Sequence, residues 1–206
     1  MRHRQLGKSD LSVSVVGIGG LHFGNLCDQQ QTCRIIHKAQ DFGVNFIDTA
    51  PMYGNTLSES FIGVAIRGRR DSFVIASKVG LTPAANASGQ FGVATVSLNE
   101  AVIRKSVDSS LAALNIDRLD LLQLHAFDNS VPIHDTLSAL EKLIREGKIR
   151  WVGCSNYDHE QLQAVGRAVH ERDFSFMVSL QSHYNVLERR LERDLLPLCK
   201  DYELGI

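Results

Sequence analysis

No run of this sequence comes near the 18 or so consecutive apolar residues that a membrane-spanning helix needs, and the opening MRHR leads into no apolar stretch of the signal-peptide kind. Neither a membrane partner nor secretion is expected, and the chain reads as cytoplasmic. Cysteine is sparse: Cys27, Cys33, Cys154 and Cys199 are scattered with no C-x-x-C pair, which suits a reducing compartment rather than a disulfide framework. The spacing of Cys27 and Cys33 beside His22 matches no common zinc pattern, so no metal is expected. Excess charge of one sign is missing too. The 22 Lys and Arg and 23 Asp and Glu are mixed along the whole length, with no basic stripe to neutralise phosphates, and nucleic acid is not an expected partner. The one positive cluster, Ile66 to Asp71, follows a helical pattern and reads as a helix end.

What is present is ordinary globular composition, 44% apolar and 22% charged over 206 residues. Short Val-, Ile- and Leu-rich runs alternate with segments of helical period, the signature of β-α units on a parallel sheet. Six strands are predicted: Val13 to Gly20, Val44 to Asp48, Phe73 to Lys78, Leu119 to His125, Arg150 to Asn156 and Met177 to Ser182. TLSE (Thr56 to Glu59) and SLNE (Ser97 to Glu100) fit the capping box that opens a helix. Leu137, Leu140 and Ile144, and again Leu162, Val165 and Val169, give single apolar stripes to lay on the sheet. The first residues form a small hairpin turning at Gly7 to Asp10. Thr82 to Thr95, rich in Gly, Ala and Ser, sits where active-site loops lie, and nothing reads as a linker, so residues 1–206 are expected to form one domain.

The strands share one oddity. Asp48, Lys78, His125, Ser155 with Asn156, and Gln181 stand at the carboxyl ends of five of them, where a strand buried on both faces should stay apolar. In a parallel barrel these ends open on one face, so residues far apart in sequence meet in one pocket. An acid there is costly unless paired, and Lys78 on a neighbouring strand is the partner expected for Asp48. Singly, each polar residue has a plain structural explanation; five in succession point to a shared site. His134, His159 and His170 fall on helices and are read as structural.

These residues, set in GIGG (Gly17 to Gly20), NFIDTAPMYG (Asn45 to Gly54), ASK (Ala76 to Lys78), LLQLH (Leu121 to His125), GCSN (Gly153 to Asn156) and LQSHYN (Leu180 to Asn185), resemble the aldo-keto reductase family. The resemblance implies a (β/α)8 TIM-type barrel closed below by the hairpin, and reduction of aldehyde or ketone carbonyls, or the reverse oxidation, with NADPH or NADH, NADP being favoured on the resemblance alone. It implies a catalytic set of Asp48, Tyr53, Lys78 and His125. Ser155, Asn156 and Gln181 would hold the nicotinamide carboxamide, with Gly20, Leu21 and Asp48 near the cofactor and Tyr184 a weaker candidate. The chemistry agrees: hydride arriving at a carbonyl leaves an alkoxide, which needs a proton donor and positive potential. Tyr53 is the expected donor, Lys78 the cation that favours its phenolate, Asp48 the anchor of Lys78, and His125 the group that orients the carbonyl.

Only six β-α units are read, with Tyr202 to Ile206 as a helix end entering a seventh strand. Relative to the family the chain is therefore expected to be carboxyl-terminally short, feebly active or inactive alone, and open to self-association through its sheet edges. Two other readings stand beside the reductase. One is a non-catalytic nucleotide-binding or sensor subunit, such as the family contains. The other is a metal-dependent barrel hydrolase using His22, Asp48, His125 and His183, which predicts sensitivity to chelators.

Overall fold

The computed structural model describes residues 1–82, 95–172 and 174–206. Strands β1 (His3–Gln5) and β2 (Ser12–Ser14) pair antiparallel as the expected hairpin. Then β3 (Gly17–Gly19), α1 (Gln29–Asp41), β4 (Phe46–Asp48), α2 (Ser58–Ala65) and β5 (Val74–Val79) follow in turn. A short antiparallel pair comes next, β6 (Leu81–Thr82) with β7 (Thr95–Val96), and then α3 (Glu100–Leu114), β8 (Leu119–Leu124) and α4 (Ile133–Arg145). The chain ends through β9 (Ile149–Ser155), α5 (His159–Glu171), β10 (Met177–Gln181), α6 (Arg190–Asp194) and α7 (Leu196–Asp201). The expected active-site loop Thr82 to Thr95 lies outside the described residues except for its two ends.

Strands β3, β4, β5, β8, β9 and β10 form one wholly parallel sheet in chain order, with a helix between successive strands, the β-α barrel arrangement that the sequence implied. Beyond β10, Gly205 donates to the carbonyl of Val178 at 2.8 Å and accepts from the amide of Leu180 at 2.9 Å. A further parallel partner thus begins where a seventh strand was expected. The sheet buries apolar residues on both faces. On the helix side Ile47, Ile75, Leu122 and Val152 join Ile36, Ile62, Ile103 and Leu140 in one cluster. On the other side Ala76, Leu121 and Val178 meet Leu11 and Val13 of the hairpin. The hairpin is latched there: Asp10 accepts from the Trp151 indole at 2.7 Å and from Arg150 at 2.6 Å.

Two local expectations are corrected. Val13 to Gly20 is not one strand: β2 belongs to the hairpin and β3 to the sheet, because the Ser14 hydroxyl donates to the Val16 carbonyl and turns the chain between them. Nor do TLSE and SLNE form capping boxes. Thr56 has φ of 69°, outside the extended geometry an N-cap needs, and the side chain of Asn99, not Ser97, accepts from Val102. The boxes present are Asp28 with Gln31 and Asp158 with Gln161.

The acid of TLSE is used elsewhere. Glu59, 4% exposed, accepts from the Ser77 hydroxyl at 2.6 Å and so fastens α2 to the outer face of β5. Burial pushes its pKa up, against the lowering effect of the Ser77 and Ser110 hydroxyls. The folded chain therefore keeps a proton that the unfolded chain releases above the ordinary glutamate value of 4.5, so this stability is complete below 4.5 and is lost as pH rises through the raised value. Glu59→Gln keeps an acceptor for Ser77 and removes that dependence, so its melting temperature is expected to fall less steeply above pH 4.5 than that of the wild type. Glu59→Ala strands two hydroxyls and is expected to cost about 1–3 kcal/mol. Melting curves across pH decide the matter, and equal slopes for Glu59→Gln and wild type would refute the protonated carboxyl.

Candidate active site

Parallel pairing sets Gly19 opposite Asp48 and Asp48 opposite Ala76. Lys78, two residues beyond Ala76 and so on the same face, rises beside the end of β4. Its ammonium, with the side chain only 1% exposed, donates to Asp48 Oδ2 at 2.6 Å and to the Thr49 carbonyl at 3.1 Å. The other Asp48 oxygen accepts from Gln123 Nε2 at 2.8 Å. A charge this deep persists only when paired and hydrogen-bonded, and here both requirements are met.

Tyr53 reaches the same spot by a tight turn. Gly54, Asn55 and Thr56 all adopt left-handed backbone, at φ of 56°, 55° and 69°. At Gly54 only glycine fits, since a Cβ would lie 1.5 Å from the Phe23 carbonyl oxygen. The turn lays the Tyr53 ring against Lys78, with Nζ 4.7 Å from the ring centroid. The ring also stands edge-on to His125, centroids 5.9 Å apart at 79°. Behind the turn the Ser58 hydroxyl donates to the Gly20 carbonyl at 2.8 Å and bonds the Thr49 hydroxyl at 2.8 Å, tying α2 to the exits of β3 and β4.

His125, just past the end of β8, is 8% exposed. Burial, and secondly the charge of Lys78, bring its pKa down to about 4, so the imidazole is neutral near pH 7. Its carbonyl accepts from Asn156 Nδ2 at 2.9 Å, which joins it to a second group of predicted residues. Ser155 ends β9, Gln181 ends β10 and pairs with it in register, and the Asn156 amide donates to the Gln181 carbonyl at 3.0 Å. Asp48, Tyr53, Lys78 and His125 are thus brought together, with Ser155, Asn156 and Gln181 adjoining them.

Gly20 is buried and Leu21 exposed in the turn after β3. A cavity of about 710 Å³ on the inner face is lined by Gly19, Asp48, Gln123, Ser179 and Gln181. Tyr184 also borders it, with its hydroxyl donated to Glu192 at 2.6 Å. His134, His159 and His170 stand on α4 and α5, as read from the sequence. Among the described residues no three His, Cys, Asp or Glu side chains gather as metal ligands, so the hydrolase reading has no ligand set there. Gln123, Ser58 and Thr49 were not foreseen; for Gln123 the available signal was a polar residue inside the apolar run LLQL.

The chain matches the model of the Aldo/keto reductase family over residues 15–206. An aldo-keto reductase of Alternaria alternata is 32% identical over 230 residues, covering 99% of this chain and 63% of that protein. A solved aldo-keto reductase of Bacillus halodurans, in its holo form, superposes with a TM-score of 0.83 at 34% identity, over 99% of this chain and 64% of that one. Another, from Klebsiella pneumoniae in complex with NADPH, gives 0.82 at 32% identity, over 99% and 66%. The chain thus spans a little under two thirds of the length of the first two.

The two causes acting on His125 are separable. Lys78→Met removes only the lesser one, so the imidazole is expected to titrate above about 4 yet below the ordinary 6.5. Proton NMR of the ring resonances reads this directly, and a value unmoved by the substitution would mean that the Lys78 charge is not felt. Because the folded value lies below the ordinary one, the stability tied to the neutral ring is complete above pH 6.5 and is lost as pH falls toward 4.

Proposed function

The chain belongs to the aldo/keto reductase family, and from the meeting of Lys78, Asp48, Tyr53 and His125 we propose that it reduces small aldehyde or ketone carbonyls to alcohols with NADPH or NADH, or runs the reverse oxidation. The observation that carries this is the buried Lys78 ammonium, 2.6 Å from Asp48 and 4.7 Å from the centre of the Tyr53 ring. A phenol beside a fixed cation is a proton donor matched to an oxygen gaining negative charge.

Each residue then has one task. Tyr53 hands its proton to the carbonyl oxygen. Lys78 supplies positive potential at that point, and Asp48 with the Thr49 carbonyl holds it there. His125, neutral near pH 7, offers a ring N–H that orients the carbonyl without adding a second charge. The Ser155 hydroxyl and the amides of Asn156 and Gln181, at the ends of β9 and β10, offer donors and acceptors that suit a nicotinamide carboxamide, and Gly20 and Leu21, in the turn after β3, are the further cofactor candidates. The nicotinamide, when bound, supplies the hydride. A cytoplasmic site of action agrees with the four free cysteines. The outer edge of β3, unpaired among the described residues, leaves room for association with a second copy of this chain.

Titration of the purified chain with NADPH and with NADH, followed by cofactor fluorescence with the mass taken in the same sample, tests the binding half. For the chemical half, Tyr53→Phe is expected to lower aldehyde turnover by roughly a hundred- to ten-thousandfold while leaving cofactor affinity nearly intact. Turnover equal to the wild type would remove Tyr53 from its role. Cofactor binding with no turnover in the wild type would favour the nucleotide-binding subunit instead.

A further inference from the structure

Lys78, Gln123, Gly153 and Ser179 are successive partners in register across β5, β8, β9 and β10. The row thus begins at the Lys78 ammonium and ends at the Ser179 hydroxyl, which is buried without a partner among the described residues. Gln123, 2% exposed, points its amide nitrogen at Asp48 Oδ1, 2.8 Å away. The amide orientation is dictated by its neighbour, because a carboxylate accepts hydrogen bonds and donates none. Gly153, beside it, makes room chiefly for Ser179. A Cβ at that position would lie 2.2 Å from Ser179 Oγ and 3.4 Å from Gln123 Cγ.

We propose that Gln123 is a positioning residue for the Asp48–Lys78 pair, and that its carboxamide fixes the carboxylate without adding a negative charge. A glutamate here would set two acids against one ammonium. An apolar residue would leave Asp48 Oδ1 without a donor and free the carboxylate to swing on its remaining bond. An alanine at 153 would push the Ser179 hydroxyl aside and only touch Gln123. The effect on turnover rests on the reductase reading; the effect on Lys78 does not.

The test uses the 206-residue chain with ¹⁵N-labelled lysine, 4-nitrobenzaldehyde as the carbonyl probe and NADPH as reductant. The ammonium resonance of Lys78 is assigned by its loss in Lys78→Met. In the near-isosteric Gln123→Met that resonance is expected to shift or broaden, and kcat to fall about ten- to a hundredfold with the KM for NADPH little changed. Gln123→Glu should be slow near neutrality and recover as pH falls and the new acid gains a proton to donate, a pH dependence absent from the wild type. An unmoved Lys78 resonance in both Gln123→Met and Gln123→Glu would overturn the proposal whatever the rates. Wild-type turnover in Tyr53→Phe would sink the reductase reading alone, and a shifted Lys78 resonance would still support the role of Gln123.

Discussion

A lysine ammonium is among the groups least tolerated inside a protein, and Lys78 is buried within the sheet. What makes this possible is Asp48 on the next strand, and the architecture around the pair serves to keep the two together. The parallel register sets Asp48 opposite Ala76, so that Lys78, two residues further on the same face of the fifth strand, meets the acid with its long side chain. The Thr49 carbonyl and the Gln123 amide each add one further hydrogen bond to the two charges. Breaking one partner away would leave an uncompensated ion in a low-dielectric place, a far larger penalty than the pair itself returns in stability. A pair kept for stability alone could be replaced by two apolar side chains, and its place beside a cavity that Asp48 lines is therefore what the proposed chemistry rests on.

The same constraint reaches the outer layer. Consecutive residues at the start of α2 face different strands: Ser58 holds the exits of β3 and β4, while Glu59 grips Ser77 on the back of β5. Ser77 and Lys78 are neighbours in a strand, so their side chains leave by opposite faces. Glu59 thus fastens the backbone from behind at the place where Asp48 fastens the side chain from in front. The left-handed turn between Tyr53 and α2 can be strained because both of its ends are tied in this way.

Much of this was legible before any coordinates. Strands β5, β8, β9 and β10 fall within about a residue or two of their predicted limits because strands buried on both faces read as apolar runs. Asp48, Lys78 and His125 were visible because they interrupt those runs at the end, whereas Tyr53 entered only through the resemblance to the aldo-keto reductase family. Where the reading failed, the deciding contact was invisible to periodicity. Ser14 bonds its own neighbour's backbone and ends a strand that the apolar pattern continues. The hydroxyl–acid spacing of TLSE is that of a capping box, yet its acid belongs to a serine 18 residues away. Gln123 interrupts LLQL as plainly as His125 follows it, but it carries no charge, lies short of the strand end, and has its partner 75 residues back.

Taken together, the mouth of the sheet is balanced in charge before any reaction starts. Asp48 offsets Lys78, His125 is neutral near pH 7, and Gln123 contributes a dipole where an acid would have upset the count. In the reaction proposed for this chain, the carbonyl oxygen is the group whose charge grows. A phenol, a neutral imidazole and one ammonium are gathered at this point, so the oxygen's new negative charge meets attraction from Lys78, which Asp48 partly offsets. Asp48, Lys78 and Gln123 are already held by strands and hydrogen bonds, so these groups need no rearrangement as that charge grows. A rigid arrangement of few charges, set by register and not by loops, is what a parallel sheet is suited to supply.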